Sequence, residues 1–183
     1  MKFYEEQVET NTVFKGKIVN IRDDVVKLQN GNLSNREVVE HPGGVGIVPL
    51  TDDNKIIMVR QYRYCMEEEI IEIPAGKLEY GEDPFECAKR ELSEETGCTA
   101  GKYVDLGKIY PSPGFCKETL YLYLALDLKR GEMHLDDNEL LSVEEIDIDV
   151  LIDMITANEL YDAKTVVGVL RTKMYLEQLG VRS

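Results

Sequence analysis

The chain lacks what would place it in a membrane or on a polyanion. No segment approaches the roughly 18 consecutive apolar residues that a spanning helix needs. Its first residues, Met1-Lys2-Phe3-Tyr4-Glu5-Glu6, are acidic where an export signal is basic and then apolar. The expected location is therefore the cytoplasm. Positive charge is scarce: 21 Lys and Arg stand against 35 Asp and Glu, for a formal net charge of -14. Such a surface repels a phosphate backbone, so neither nucleic acid nor membrane is an expected partner. Histidine and cysteine are few and badly spaced for zinc. Cys65, Cys87, Cys98 and Cys116 form no CxxC pair, and the two histidines form no HxxxH. In a reducing compartment the four thiols are expected to be free and mostly buried. Repeats and low-complexity segments are missing as well.

What is present suits a globular domain with a small attached element: 183 residues, 43% hydrophobic and 31% charged. Residues 1–42 read as a β element. Strands are expected over Val13–Ile21 and Val25–Leu28, a turn at Asn30-Gly31, and a returning strand at Arg36–Glu40. Pro42-Gly43-Gly44 punctuates the boundary to a main domain, 43–183. There, Val45–Leu50 and Ile56–Arg60 flank the polar turn Asp52-Asp53-Asn54 and are expected to pair. Ile70–Ile73 is a short strand ending at Pro74, and further strands are expected near 102–110, 119–128 and 140–146. Two helices close the chain, about 148–157 and 162–178, the second presenting Val166, Val169, Leu170 and Met174 on one face. Helices interspersed with a mixed sheet imply α/β/α layering.

Residues 84–96 carry the clearest helix punctuation. Asp83 is the expected N-cap, Pro84 fits the first helical position, Glu86 would complete a capping box, and Gly97 is the stop. Phe85, Ala88 and Leu92 form the expected apolar stripe. Glu91, Glu94 and Glu95 then stand at i, i+3 and i+4 and leave the helix on one face. Arg90 is one turn from Glu86 and Glu94 and offsets part of the repulsion. A glutamate-rich face is commonly no more than a solvated surface. Three converging carboxylates are also a natural site for hard divalent cations.

The wider pattern decides between these. Gly76 to Cys98 reads Gly-x5-Glu-x7-Arg-Glu-U-x-Glu-Glu-x-Gly-U, with U a bulky apolar residue and Cys98 in the last place. Cysteine packs there as a small hydrophobe. A chance match is on the order of one in a million from residue frequencies. The stretch resembles the Nudix box. That resemblance implies a Nudix-type α/β/α sandwich with a mixed sheet, beside the small N-terminal antiparallel β element. It implies metal ligation by Glu91 and Glu95, by Glu94 directly or through water, and by the backbone carbonyl of Ala75. Gly76 would leave room for a metal-diphosphate, Arg90 would orient the carboxylates, and Glu82 would buttress the loop. The implied metal is magnesium, with manganese an alternative. Such ions neutralise the pyrophosphate and acidify the attacking water.

Outside the box the chain resembles ADP-ribose pyrophosphatases over nearly its whole length. The resemblance rests on Arg36-Glu37, Gln61-Tyr62-Arg63, Glu72-Ile73-Pro74-Ala75-Gly76 and Tyr161-Asp162-Ala163-Lys164-Thr165. Pro113, sixteen residues past Gly97, is a further mark of that subfamily. The implied reaction is hydrolysis of ADP-ribose to AMP and ribose 5-phosphate, by a homodimer with exchanged N-terminal strands. Arg63 is expected on the diphosphate or terminal ribose, Glu118 facing substrate, and Arg36 reaching the other subunit's site. The general base is expected on the acidic loop Leu135-Asp136-Asp137-Asn138-Glu139, with Glu139 the first choice and Asp137 the second. The alternatives are another nucleoside-diphosphate sugar (GDP- or UDP-linked) and a non-catalytic ADP-ribose sensor. Sensors usually lose metal glutamates, whereas Glu91, Glu94 and Glu95 are all retained.

Overall fold

The structure, a computed structural model, describes residues 2–135 and 140–180. It comprises two compact units, Met1–Gly43 with Tyr110–Thr119, and Gly44–Ile109 with Leu120–Ser183. The first is an antiparallel sheet of β1 (Glu6–Lys15), β2 (Asn20–Lys27) and β3 (Leu33–Glu40), in that order. The run expected as one strand over Val13–Ile21 is broken by a reversal at Gly16, whose N–H donates to the Val19 carbonyl at 2.9 Å. A Cβ at Gly16 would lie 2.7 Å from the Phe14 ring, so a β-branched neighbourhood still turns there. Asn30-Gly31 is the second turn, with Gly31 at φ 88°. β1 is exposed along its length, and β2 buries only Asp24 and Val26. The segment Tyr110–Thr119, expected in the main domain, belongs to this unit. Val39 of β3 donates to the Phe115 carbonyl at 2.8 Å and accepts from Lys117 N–H at 2.9 Å.

The larger unit holds two sheets. One has the order β10 (Leu141–Asp147), β5 (Lys55–Arg63), β6 (Glu68–Glu72) and is antiparallel. The other runs β7 (Ala75–Lys77), β4 (Gly44–Pro49), β9 (Leu120–Arg130), β8 (Cys98–Ile109), with β4 and β9 parallel. The expected pairing of Val45–Leu50 with Ile56–Arg60 is thus corrected. β4 and β5 share only a bridge from Leu50 to Ile56 and then part into different sheets. The intervening turn forms, with Asn54 at φ 61°. β4 is buried at every residue, the pattern of a central strand covered on both faces.

Alternation sorts these strands' side chains between two cores. Val45 and Ile47, with Ile57 and Ala125, pack with Cys87, Ala88 and Leu92 of helix α1 (Pro84–Thr96) and with Cys98 at the start of β8. Val48, Met58, Leu122 and Leu124 pack instead with Ile148 and Leu151 of α2 (Ile148–Thr156) and Val169 and Leu176 of α3 (Ala163–Gln178). This is the α/β/α layering expected.

Two expected helix faces need correction. In α1 the fully buried partner of Ala88 and Leu92 is Cys87; Phe85 is partly exposed and stacks edge-on against Tyr103 at 5.2 Å. In α3 the inward residues are Thr165, Gly168, Val169, Thr172 and Leu176, while Leu170 and Met174 are exposed. A Cβ on Gly168 would stand 3.0 Å from Val48 and 3.1 Å from Ile73. Small residues let α3 approach the sheet closely, which hydrophobicity alone does not register. All four cysteines are free, but only Cys87 and Cys98 are buried; Cys65 is exposed. Among the described residues no helix is long and apolar enough to cross a membrane.

Candidate active site

Helix α1 begins and ends where its local chemistry dictates. The Asp83 carboxylate accepts from Phe85 N–H at 2.9 Å and Glu86 N–H at 3.3 Å, and Pro84 needs no N–H partner at the first position. The capping box stays one-sided, since Glu86 engages Lys89 instead, at 2.6 Å. Gly97 terminates the helix at φ 68° with its N–H on the Ser93 carbonyl at 2.9 Å.

The box glutamates Glu91 and Glu95 leave this helix toward β7. Arg90 is the organiser. Its Nε and Nη2 donate to the two Glu82 oxygens at 3.0 and 3.1 Å. Its Nη1 lies between Glu91 at 2.7 Å and Glu94 at 2.9 Å. Glu86, one turn away and expected as a partner, is not among them. Hydrogen bonds from Arg90 are the main reason the Glu82 carboxyl falls to about 2. Glu82, first among Arg90's partners, in turn raises the guanidinium above its ordinary range. Glu82 also closes its own loop, accepting from Glu79 N–H at 2.9 Å. Burial pushes the thiol of Cys87, beside this cluster, up to about 12, which disfavours the thiolate.

Two contacts join the helix to β7. Glu95, buried, accepts from Ala75 N–H at 2.8 Å. At Gly76 an added Cβ would fall 1.8 Å from both Cδ and Oε1 of Glu91. A side chain at Gly76 would therefore displace the Glu91 carboxylate itself, a nearer constraint than the metal-diphosphate expected from the pattern. Among the described residues no three His, Cys, Asp or Glu side chains form a ready metal cage. The donor chemistry nonetheless fits a hard divalent cation. Glu91, Glu94 and Glu95 offer carboxylate oxygens from one face and Ala75 a carbonyl. Magnesium completes its shell with water and substrate phosphate rather than with protein alone.

The acidic loop's general-base candidates, Asp137 and Glu139, lie outside the described residues. The chain leading to it is tied to the end of α1: Gly131 N–H donates to Gly97 O at 2.7 Å and His134 N–H to Glu94 O at 3.1 Å. The chain leaving it enters β10 with Leu141 opposite Gln61. A Cβ on Gly97 would meet the Gly131 carbonyl at 2.8 Å and Glu132 and Met133 backbone at 2.9 and 3.0 Å. Gly97→Ala is accordingly expected to destabilise. The left-handed backbone alone costs about 1–2 kcal/mol, and the blocked crossing adds to it. A shift of the urea midpoint measures the sum, and an unchanged midpoint would contradict this account.

The remaining expected residues divide between the units. Arg63, in the larger one, donates from Nε and Nη2 to Glu72 at 2.7 and 2.8 Å. In the N-terminal unit, Arg36 grips Glu5 through Nη2 at 2.6 Å and Nε at 2.9 Å. Arg36 also lines an open concavity of about 420 Å³ with Asn35, Gly114 and Phe115, so it shares a surface with the loop that carries Pro113. Glu118 lies 3.3 Å from His41 Nδ1. The sequence reading missed the Glu72, Lys164 and Asp162 cluster behind Arg63. Its only signal was that two stretches carrying the family resemblance, Glu72–Gly76 and Tyr161–Thr165, held charges without an assigned partner.

A mixed sheet lies between α1 and the α2–α3 pair, and the Glu91 carboxylate of α1 is seated against Gly76 of β7. The sequence pattern of the NUDIX domain matches residues 40–166, and the chain belongs to that family. A relative from Bacillus methanolicus, named methanol dehydrogenase activator, is 43% identical over 169 residues, covering 91% of each chain. The ADP-ribose pyrophosphatase of Bacillus subtilis (strain 168) is 42% identical over 172 residues, 92% of this chain and 93% of that one. The crystal structure of an ADP compounds hydrolase superposes with a TM-score of 0.86 over 97% of both chains, at 23% identity, which speaks to the fold.

Proposed function

We propose that this protein hydrolyses the pyrophosphate of ADP-ribose to AMP and ribose 5-phosphate, with magnesium as its cation and manganese as a substitute. The observation that carries the reading is the seat of Glu91 against Gly76, with Glu94 and Glu95 beside it on one helix face. The substrate comes from the 42% identity, over nearly the whole chain, to the Bacillus subtilis ADP-ribose pyrophosphatase. Divalent cations held there supply neutralisation of the diphosphate and acidification of water. Arg90 keeps the carboxylates in register. Arg63 binds the diphosphate or terminal ribose. Glu139 takes the proton from the attacking water, with Asp137 the second choice. Residues 1–42 serve dimerisation and substrate contact: β1 is uncovered throughout, and Val8, Val13 and Phe14 are exposed. In a homodimer with exchanged strands, Arg36 acts on the partner's site, while Pro113 and Glu118 shape the substrate's side. The reading includes a cytoplasmic location.

Product analysis tests this over ADP-ribose, GDP- and UDP-sugars, dinucleoside polyphosphates and nucleoside triphosphates. AMP and ribose 5-phosphate should appear with magnesium and cease with excess chelator. Undiminished turnover in chelator would sink the metal role, and preference for a GDP- or UDP-sugar would move the substrate assignment. The relative named methanol dehydrogenase activator favours a second reading, in which this chain stimulates an alcohol-oxidising enzyme. Adding the protein to such an enzyme's assay, with and without magnesium, tests it.

A further inference from the structure

Glu72 ends β6 with its side chain at 0% exposure, four residues before Gly76. Two cations hold it. Arg63 reaches both its oxygens, as above, and the Lys164 ammonium bonds its Oε2. Lys164 is itself nearly buried and also pairs with Asp162 at 3.0 Å. Asp162 caps α3, accepting from Thr165 N–H at 3.1 Å and from its hydroxyl at 2.6 Å. The Thr165 Oγ1 accepts in turn from Ile73 N–H at 2.9 Å. The circuit closes from the strand, through two ion pairs and a helix cap, back to the next residue of the strand. Its two acids and two bases balance.

Stability alone is a poor reason for this cluster, since well-packed apolar groups replace buried ion pairs at little or no cost. Its geometry says more. Glu72 takes the Nε and Nη2 edge of the guanidinium, while Nη1 has no hydrogen bond among the described residues. The Arg63 side chain remains 41% exposed. The charge of Glu95 acts on it and, after Glu72, helps raise its pKa. A rigid planar fork gripped along one edge has its other edge aimed. That open edge lies within electrostatic reach of a box carboxylate.

We propose that Glu72 is a positioning residue: clamped by Lys164 from the start of α3, it presets the Arg63 guanidinium for the substrate's diphosphate or terminal ribose. This rests on Arg63 being a substrate contact, as argued under the proposed function. The test is a double-mutant cycle of Glu72→Gln, Arg63→Ala and the pair, with kcat, KM and Tm for each. Misplacing a binding group costs up to about 10²-fold, so Glu72→Gln should lower kcat/KM by at least about 10-fold, mostly through KM. In the Arg63→Ala background the same change should cost less than about 2-fold, because there is nothing left to position. Equal losses in both backgrounds, or a lower Tm with unchanged kcat/KM, would overturn the proposal and leave Glu72 a structural residue. Lys164→Met runs the same cycle should Glu72→Gln fail to fold, with the same two outcomes. If Arg63→Ala leaves turnover intact, the substrate-contact premise falls, and the proposal with it. If the protein prefers another nucleoside-diphosphate sugar, the cycle is run on that substrate. The two assignments thus fail separately.

Discussion

Glu95→Gln should lower kcat/KM by about 10²-fold or more and shift the magnesium dependence to higher concentration, as expected when charge placed at the reacting phosphate is lost. Glu95 lies on a capped helix, buried, with one oxygen on Ala75 N–H at 2.8 Å. The amide keeps its shape and can keep that hydrogen bond, so the fold should survive and the missing quantity is charge. The contrasting variant is Glu139→Gln on the acidic loop. It should also reduce kcat by about 10²-fold if Glu139 is the general base, yet leave the magnesium dependence and ADP-ribose affinity near wild type. Asp137→Asn should do less. Steady-state kinetics over a magnesium series separate the three. A normal magnesium response in Glu95→Gln would remove that residue from the metal site. A larger loss in Asp137→Asn than in Glu139→Gln would exchange the loop residues' roles.

Gly76→Ala is the second large effect. A methyl group cannot occupy a point 1.8 Å from the Glu91 carboxyl carbon, and Gly76 is held in register with Val45 of β4. The carboxylate must therefore move, and displacing a catalytic group by about 1 Å is worth roughly 10²-fold in rate. Metal affinity should fall with it if, as proposed, the displaced oxygen is one of the donors. Gly81→Ala is the control. Its φ of +78° strains an alanine, but nothing lies within 4 Å of the new Cβ. It should cost about 1–2 kcal/mol of stability and little catalysis. Equal activity of the two variants would mean that Glu91 is not seated where the structure puts it.

The difference between these glycines marks how far the sequence could be read. Helix α1 was legible to the residue because its limits are local: a carboxylate two and three residues before the N–H groups it caps, a proline at the first turn, a glycine at the left-handed stop. The common face of Glu91, Glu94 and Glu95 followed from helical period alone. The box pattern carried the family, and Cys98 packs in the core beside α1 as its size allows.

Contacts between distant residues were not legible. β4 and β5 look like a hairpin, since strand character and a good turn are local, but partner choice is not. β4 is covered on both faces and takes β9 as a parallel neighbour 76 residues on, which no turn signal announces. The inward face of α3 was misassigned because close approach to the sheet selects Thr165, Gly168 and Thr172 over the larger Leu170 and Met174. By itself the sequence determined the glutamate face proposed to hold metal, the helix that carries it and the family, all properties of short stretches with a fixed period. Only the tertiary structure decided that Gly76 makes room for Glu91 and that Glu72 meets Lys164, 92 residues away. Those pairings depend on how close two segments come when the core between them is packed, and that distance is written in no single segment.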